Sequence, residues 1–169
     1  YLGAMAAADL STPDVESQVV LAALGPRMLA LSAELSQGAL PYSVTPEHTA
    51  GAREILGPDR WLCVQQKVCL ETDADTARQA ASVALGRHLQ LPNYRNSWVR
   101  QGFSEEDFDD GGSASFLDAI VSWGTADSIR AHIQAHFDAG ADHVCLEVVN
   151  PRDPAVPDWD AIETFAPAN

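Results

Sequence analysis

Basic residues are scarce in this sequence, because 169 residues carry 10 Lys and Arg against 24 Asp and Glu, a formal net charge of −14 at pH 7. The phosphates of nucleic acids and of anionic lipids repel so acidic a chain. We therefore predict no nucleic acid and no anionic membrane as a partner. Long apolar runs are also lacking, since none approaches the roughly 18 residues that a membrane span needs. The few cysteines, Cys63, Cys69 and Cys145, lie in apolar runs without metal spacing. They predict buried, reduced thiols, no metal site and a cytoplasmic protein.

The apolar content is high enough for a folded domain, at 46% of residues against 20% charged. A chain of this length can build one hydrophobic core, so we predict a single domain over 1–169. The sequence opens at Tyr1 without an initiator Met, and residues 1–10 have the pattern of the later part of a helix. We therefore expect the chain to be a fragment or a processed product, and the domain to be partial.

The stretch from Val19 to Leu35 sets the pattern for the rest of the chain. Residues 19–24 are continuously apolar, which is typical of a strand buried on both faces. Gly25 permits a tight turn, and Pro26 suits the first position of a helix. Apolar residues then recur at helical spacing up to Gly38, a predicted C-cap. The pattern predicts strand, turn and helix, with the positive helix end at the strand's carboxyl end.

Three further strands are predicted, over 39–44, 61–70 and 143–149, with helices between them. Strands that alternate with helices indicate right-handed βαβ units and a parallel sheet. The fold class is therefore α/β. Four strands are enough for a small open sheet, or for half of an eight-stranded TIM (β/α)8 barrel, which typically needs about 250 residues.

Two segments interrupt this alternation. Residues 93–112 hold aromatic residues and an acidic cluster, and they form a predicted insertion that is either a solvated surface excursion or a cover over an active site. A short helix is expected over 113–121. Residues 150–169 contain four prolines and form a predicted irregular tail with one helical turn at 158–165.

Several segments, in order, resemble the second half of the luciferase-like monooxygenase superfamily, in particular its branch of probable F420-dependent oxidoreductases. They run from about Val19 to Val149. The segments are Val20-Leu21-Ala22-Ala23-Leu24-Gly25-Pro26-Arg27, Gly38-Ala39-Leu40-Pro41-Tyr42, Thr45-Pro46-Glu47-His48-Thr49, Gln65-Gln66-Lys67-Val68 with Glu71-Thr72-Asp73-Ala74, Trp123-Gly124-Thr125, and Asp138-Ala139-Gly140-Ala141-Asp142-His143-Val144.

The resemblance implies that the predicted strands are the fifth to eighth of a (β/α)8 barrel, whose carboxyl ends bind coenzyme F420 or, alternatively, FMN. It implies an oxidoreductase that acts on a small-molecule substrate. Gly25, Pro26 and Arg27 are our candidate contacts for the anionic tail. Pro41 and Tyr42 end the second strand, where family members approach the ring. The family's N-terminal half, which supplies much of the ring pocket, lies outside this sequence.

Several polar residues need an interpretation. Within the third strand Gln65 and Lys67 point one way and Gln66 the other, and the sequence does not decide which faces the coenzyme; Gln66 is also kept as a candidate contact. His48 follows the second strand and is a weak candidate proton donor, the alternative being a capping or surface histidine.

Two further polar positions are ambiguous. Glu147 is either a buried carboxylate near the mouth of the barrel or the partner of a neighbouring helix. His132 and His136 are four residues apart, as metal ligands often are. The predicted buried stripe of that helix is Ile129, Ile133 and Phe137, which places both histidines outside the core and disfavours a metal.

Three functions compete. The first is the F420- or FMN-dependent oxidoreductase, with hydride transfer or flavin-dependent oxygenation. The second is a catalytically incomplete half-barrel that only folds or pairs, either with its missing N-terminal half or as a homo-oligomer, because an isolated half-barrel has two unpaired edges. The third is an unrelated α/β ligand-binding module, which requires a complete open sheet.

Overall fold

The fold is a parallel sheet with interleaved helices, seen in a computed structural model that describes residues 18–153 and 155–166. The strands are β1 Val20–Ala22, β2 Gly38–Leu40, β3 Trp61–Cys69, β4 Val121–Trp123 and β5 His143–Val148. The helices are α1 Pro26–Leu35, α2 Pro46–Leu56, α3 Ala74–Leu85, α4 Pro92–Arg100, α5 Ala114–Ile120, α6 Ala126–Asp138 and α7 Trp159–Phe165, with 3-10 helices at His88–Gln90 and Glu105–Gly111. The helix predicted over 1–10 lies outside the described residues.

The strand order follows from the register of β3. β5 pairs with 63–68 of β3, β2 pairs with its first residues and through a bridge at Gln65, and β4 pairs with 67–69. Gln65 of β3 is paired on the β2 side and with β5, and Lys67 and Val68 are paired with both β4 and β5. Because a strand has only two edges, β5 lies on one edge of β3, and both β2 and β4 lie on the other. The main order is therefore β1, β2, β3, β5, all parallel, as in consecutive strands of a (β/α)8 barrel. The four predicted strands are confirmed, with β1 and β2 shorter than expected.

The sequence predicted Gly38 as the C-cap of the first helix, and this prediction is wrong. Helix α1 ends at Leu35 with Ser36 as its cap, and Gly38 is the first residue of β2. A Cβ at Gly38 would lie 2.2 Å from the carbonyl oxygen of Trp61. The glycine is therefore required for the close approach of β2 to β3.

The helices pack against the sheet in two hydrophobic clusters. In the first, strand residues pack with α1 and α2, and the cluster includes Ala39, Leu62, Val64, Leu29 and Leu56. The second cluster lies under the long connection between β3 and β4, and its largest members are Trp98, Phe116, Leu85, Ile120 and Phe108. The connection therefore has a hydrophobic core of its own instead of forming a solvated excursion.

The strand β4 was not predicted. Residues 113–121 were expected to be helical, but α5 ends at Ile120 and Val121 already pairs with Lys67. Only three residues form this strand, and no turn residue separates it from α5. The sequence pattern therefore offered no signal for it. The predicted helical turn in the tail is confirmed as α7, which Asp158 caps through the N–H of Ala161.

The prediction of buried cysteines is wrong for one of the three. Cys69 is buried, which raises the pKa of its thiol to about 11, and Cys63 is half-buried. Cys145 is exposed, because it lies on the uncovered face of β5, whose residues alternate between exposed and half-buried. In the described part of the chain, no helix has the length and apolar character to cross a membrane.

Candidate functional site

The carboxyl ends of β1 and β2 open on two adjoining cavities. The first has a volume of about 340 Å³, and its walls include Gly25, Met28, Tyr42, Tyr94 and Arg100. Parallel α/β folds bind their ligands at this end of the strands. Gly25 and Tyr42, both predicted as coenzyme contacts, are thus brought to the same cavity.

Helix α4 forms the wall opposite the strand ends, and three of its contacts hold it there. Ser97 Oγ donates to the carbonyl of Leu24 at 3.4 Å, after β1. Trp98 Nε1 donates to the carbonyl of Ser43 at 2.8 Å, after β2. Gln101, the next residue after the helix, accepts from the N–H of Thr45 at 3.0 Å. The first part of the predicted insertion therefore lies across the strand ends, as a cover would.

The second cavity, about 440 Å³, lies between α1 and α2 and includes Pro26 and His48 in its lining. Leu24 and Arg100 line both cavities and so separate them. Arg100 Nη2 lies 3.4 Å from the position that a Cβ on Gly25 would take. In the described part of the chain Arg100 forms no ion pair, so its guanidinium is available to an anion.

His48 is held by the turn that follows β1. Its Nε2 lies 3.1 Å from the carbonyl oxygen of Leu24, which only accepts, so the proton is on Nε2. Its Nδ1 is buried and lacks a partner in the described residues. Burial lowers the pKa of His48, the bond to Leu24 opposes that shift, and the charge of Arg100 lowers the pKa further. The ring is therefore neutral near pH 7, with Nδ1 as an acceptor and not as an acid.

Three predicted contacts lie elsewhere. Arg27 is exposed and lines neither cavity. Pro41 is buried, and its carbonyl accepts from the N–H of Gln65 at 3.0 Å. Gln66 points to the helix side of the sheet, where its Oε1 lies 3.0 Å from His136 Nε2. The roles of these residues stay predictions, and their positions lend them no support as direct contacts.

The residues that the sequence did not identify come mostly from α4. Asn93, Tyr94, Asn96 and Arg100 line the first cavity. The only signal was the irregular insertion itself, because neither a motif nor a spacing connects these residues to β1 and β2. Their placement depends on the long connection folding back over the strand ends, which is a tertiary event.

On the face of β3 opposite to Gln66, a polar network crosses three strands. Gln65 Nε2 donates to Glu147 Oε2 at 2.6 Å, and Lys67 Nζ donates to the other oxygen of the same carboxylate. Gln65 Oε1 accepts from the N–H of Ser43 at 3.1 Å. The side chains of Gln65 and Lys67 are 3% and 1% exposed, so each buried polar group has a partner. Glu147 therefore pairs with the neighbouring strand and not with a helix.

Helix α6 presents a histidine to the sheet, contrary to the predicted stripe. His136 is fully buried, whereas Phe137 is 40% exposed. His136 Nδ1 lies 2.9 Å from Thr49 Oγ1, so both ring nitrogens are hydrogen-bonded. Among the described residues, no group of His, Cys, Asp and Glu side chains has the arrangement of a metal site.

The fold defined here is that of a (β/α)8-barrel half with its strand ends covered. No protein-family model matches the chain, and no curated protein sequence matches it. Solved structures do match. An F420-dependent secondary alcohol dehydrogenase in complex with an F420-acetone adduct is 16% identical, with a TM-score of 0.62 over 86% of this chain and 47% of that chain.

Two further solved structures match the chain over a similar range. The coenzyme F420 dependent tetrahydromethanopterin reductase from Methanopyrus kandleri is 19% identical, with a TM-score of 0.54 over 86% of this chain and 48% of that chain. Apo-MsnO8 is 18% identical, with a TM-score of 0.55 over 92% of this chain and 53% of that chain. The chain thus spans about half the length of the proteins it matches. These matches confirm the predicted fold class, parallel βα units of a (β/α)8 barrel.

Proposed function

We propose that this chain supplies half of the coenzyme site of an oxidoreductase that uses F420 or, alternatively, FMN to act on a small molecule. The observation that carries the proposal is the cavity at the carboxyl ends of β1 and β2, covered by α4, in a fold shared with two F420-dependent enzymes. The reaction is either hydride transfer or flavin-dependent oxygenation. In both, the bound ring supplies the redox chemistry and the protein orients and shields it.

The residues of the first cavity suit such a group. Tyr42 and Tyr94 offer aromatic surface for a planar ring. Arg100 and the amino end of α1 offer positive charge to a phosphate or carboxylate tail. The cavity, at about 340 Å³, is at the small end of ligand sites, which fits a site completed by the part of the barrel that this chain does not contain.

The role of Arg100 is tested by coenzyme binding. We expect Arg100→Gln to weaken the affinity for FMN or F420, followed by coenzyme fluorescence, about ten-fold, because a charge-assisted contact is lost. Arg27→Gln, measured in parallel, decides between the arginine predicted from sequence and the one that lines both cavities. Arg152→Gln, an exposed substitution in the tail, is the control for the change in net charge. Equal affinities for the wild type and the Arg100 variant would remove Arg100 from the site.

A second candidate is a half-barrel that becomes competent only on pairing, with a second copy or with an N-terminal half. Among the described residues, β1 and β5 each have one edge without a partner strand. The side chains of His143, Cys145 and Glu147 on β5 are exposed on the face that a closed barrel would enclose. Free edges and exposed inner faces favour association.

Association is measured by analytical ultracentrifugation. We expect the chain alone to sediment as a dimer or larger species, because closing the barrel satisfies both free edges. A lysine introduced as Val20→Lys on β1, in register with Gly38 and the exposed Trp61, should shift the equilibrium towards monomer, whereas Leu35→Lys, on an exposed helix position, should not. A monomer at every concentration that binds coenzyme with full affinity would exclude the pairing hypothesis.

A further inference from the structure

Ser43 adopts a backbone conformation that is unusual for its residue type. Its φ is +52°, in the left-handed region, where a residue with a Cβ is disfavoured by roughly 1 kcal/mol or more. Tyr42, the residue before it, lines the first cavity. The direction in which the chain leaves β2, and with it the position of the Tyr42 ring, therefore depends on whatever holds Ser43 in this turn.

Two side chains and one backbone carbonyl hold the peptide groups of Ser43. Trp98 Nε1 donates to the Ser43 carbonyl, and the Ser43 N–H donates to Gln65 Oε1 at 3.1 Å and, at the longer distance of 3.4 Å, to the Gln65 carbonyl. Since the N–H of Ser43 only donates, Gln65 must present Oε1 to it and Nε2 to Glu147. The orientation of the Gln65 amide is thus fixed from both ends, and neither glutamic acid nor leucine reproduces it near neutral pH.

We infer that Gln65 is a positioning residue that sets the place of Tyr42 in the first cavity, by linking the turn at Ser43 to the carboxylate of Glu147 and its partner Lys67. The inference rests on the proposed function, because it assigns a role to that cavity. Gln65 does not line the cavity and acts through Tyr42. The link runs from β5 across β3 to β2, so a change at the sheet edge is transmitted to the cavity wall.

The test uses Gln65→Glu, which keeps the shape of the side chain. Near pH 7.5 the introduced carboxylate cannot donate to Glu147 and repels it, and we expect affinity for FMN or F420 about ten-fold below that of the wild type at the same pH. Burial and the neighbouring Glu147 raise the pKa of the introduced group, and the buried ammonium of Lys67, which shares this face of β3 and the same carboxylate, opposes that shift. Near pH 5.5 it becomes protonated, donates to Glu147 and accepts from Ser43, and we expect affinity within about three-fold of the wild type.

A second readout does not depend on the coenzyme. The chain contains three tyrosines, so 3-fluorotyrosine labelling gives few ¹⁹F signals, and Tyr42→Phe assigns the relevant one. We expect Gln65→Glu to shift or broaden the Tyr42 signal near pH 7.5 and to restore it near pH 5.5. Gln134→Glu, at an exposed position on α6, carries the same change in charge and should leave both readouts as in the wild type.

Each outcome has a distinct meaning. Wild-type affinity and an unmoved Tyr42 signal in Gln65→Glu near pH 7.5 would overturn the inference. The inference would also be overturned if the loss of affinity and the change in the Tyr42 signal of Gln65→Glu persisted near pH 5.5, because this would indicate a general structural role. If the wild type binds neither coenzyme, alone or joined to an N-terminal half-barrel, while the Tyr42 signal responds as expected, the proposed function fails and the positioning role of Gln65 stands.

Discussion

Replacing Trp98 by alanine is expected to destabilise the protein by about 3 to 5 kcal/mol, because this side chain is fully buried and a large cavity would replace it. Trp98 is the centre of an aromatic cluster, with ring centroids at 4.8 Å from Phe116, 5.5 Å from Phe108 and 5.6 Å from Tyr94. Urea denaturation followed by circular dichroism measures the loss. A fraction of unfolded protein at 25 °C would itself agree with the prediction.

Conservative variants separate packing from hydrogen bonding. Trp98→Phe keeps an aromatic ring but loses the donor to the carbonyl of Ser43, and we expect it to cost about 1 to 3 kcal/mol, since that carbonyl is buried. Val99→Ala, on the exposed side of α4, should change the stability by less than about 0.5 kcal/mol. Equal denaturation midpoints for Trp98→Ala and Val99→Ala would show that the cluster does not hold α4 over the strand ends.

The role of Trp98 illustrates which parts of the structure the sequence predicts. The parallel βα units were predictable, because the strands are largely apolar runs and several helices carry a recognisable cap, such as Thr45 before Pro46. Fold class depends on such local patterns. The contact between Trp98 and Ser43 joins residues 55 positions apart, and no periodicity contains it.

In the candidate site, too, residues placed by local sequence patterns were predictable, and residues placed by long-range contacts were not. Gly25 and Tyr42 were predictable because they lie near the carboxyl ends of strands, and the fold brings the ends of parallel strands together. Arg100 was not, because its position depends on how the 3-10 helix at 88–90 and α4 fold back. For Gln65 and Gln66, alternation placed the two side chains on opposite faces correctly, but the choice between the faces required the positions of the helices.

The buried stripe of α6 was predicted wrongly for a physical reason. Apolar side chains at helical spacing favoured Phe137 as the buried residue, yet the sheet presents a polar group there. Gln66 Nε2 donates to the carbonyls of Lys67 and Ile120, at 2.9 and 3.1 Å, so its Oε1 is left to accept. His136 supplies that donor, and the requirement that a buried oxygen be paired outweighs the burial of a ring.

This pairing makes stability depend on pH through His136. The Gln66 oxygen requires the proton on Nε2, and Nδ1 accepts from Thr49 Oγ1, so the buried ring is neutral. The pKa of His136 is lowered to about 4, chiefly by burial and then by the charge of His132; Glu47 opposes the shift, and His48 adds to it. In the unfolded chain the pKa is about 6.5.

The direction of the effect follows from these two values. Above about pH 6.5 the ring is neutral in both states, and the full contribution to stability is present. As the pH falls below 6.5 the unfolded chain takes up a proton that the folded chain refuses, so stability is lost until the folded ring also protonates near pH 4. Between pH 7.5 and pH 5.0 we expect a loss of about 2 kcal/mol from this residue.

The variant His136→Gln isolates the contribution of His136 to the pH dependence of stability, because a glutamine at that position is uncharged at every pH. It should be less stable than the wild type near pH 7.5, since its hydrogen bonds to Gln66 and Thr49 are imperfect, but its stability should fall by about 2 kcal/mol less on acidification to pH 5.0. Urea denaturation at both pH values gives the difference. His143→Gln, at an exposed position on β5, should keep the wild-type dependence. Parallel losses in wild type and His136→Gln would mean that the acid sensitivity arises elsewhere, and that the His136 ring accepts its proton inside the folded protein without cost.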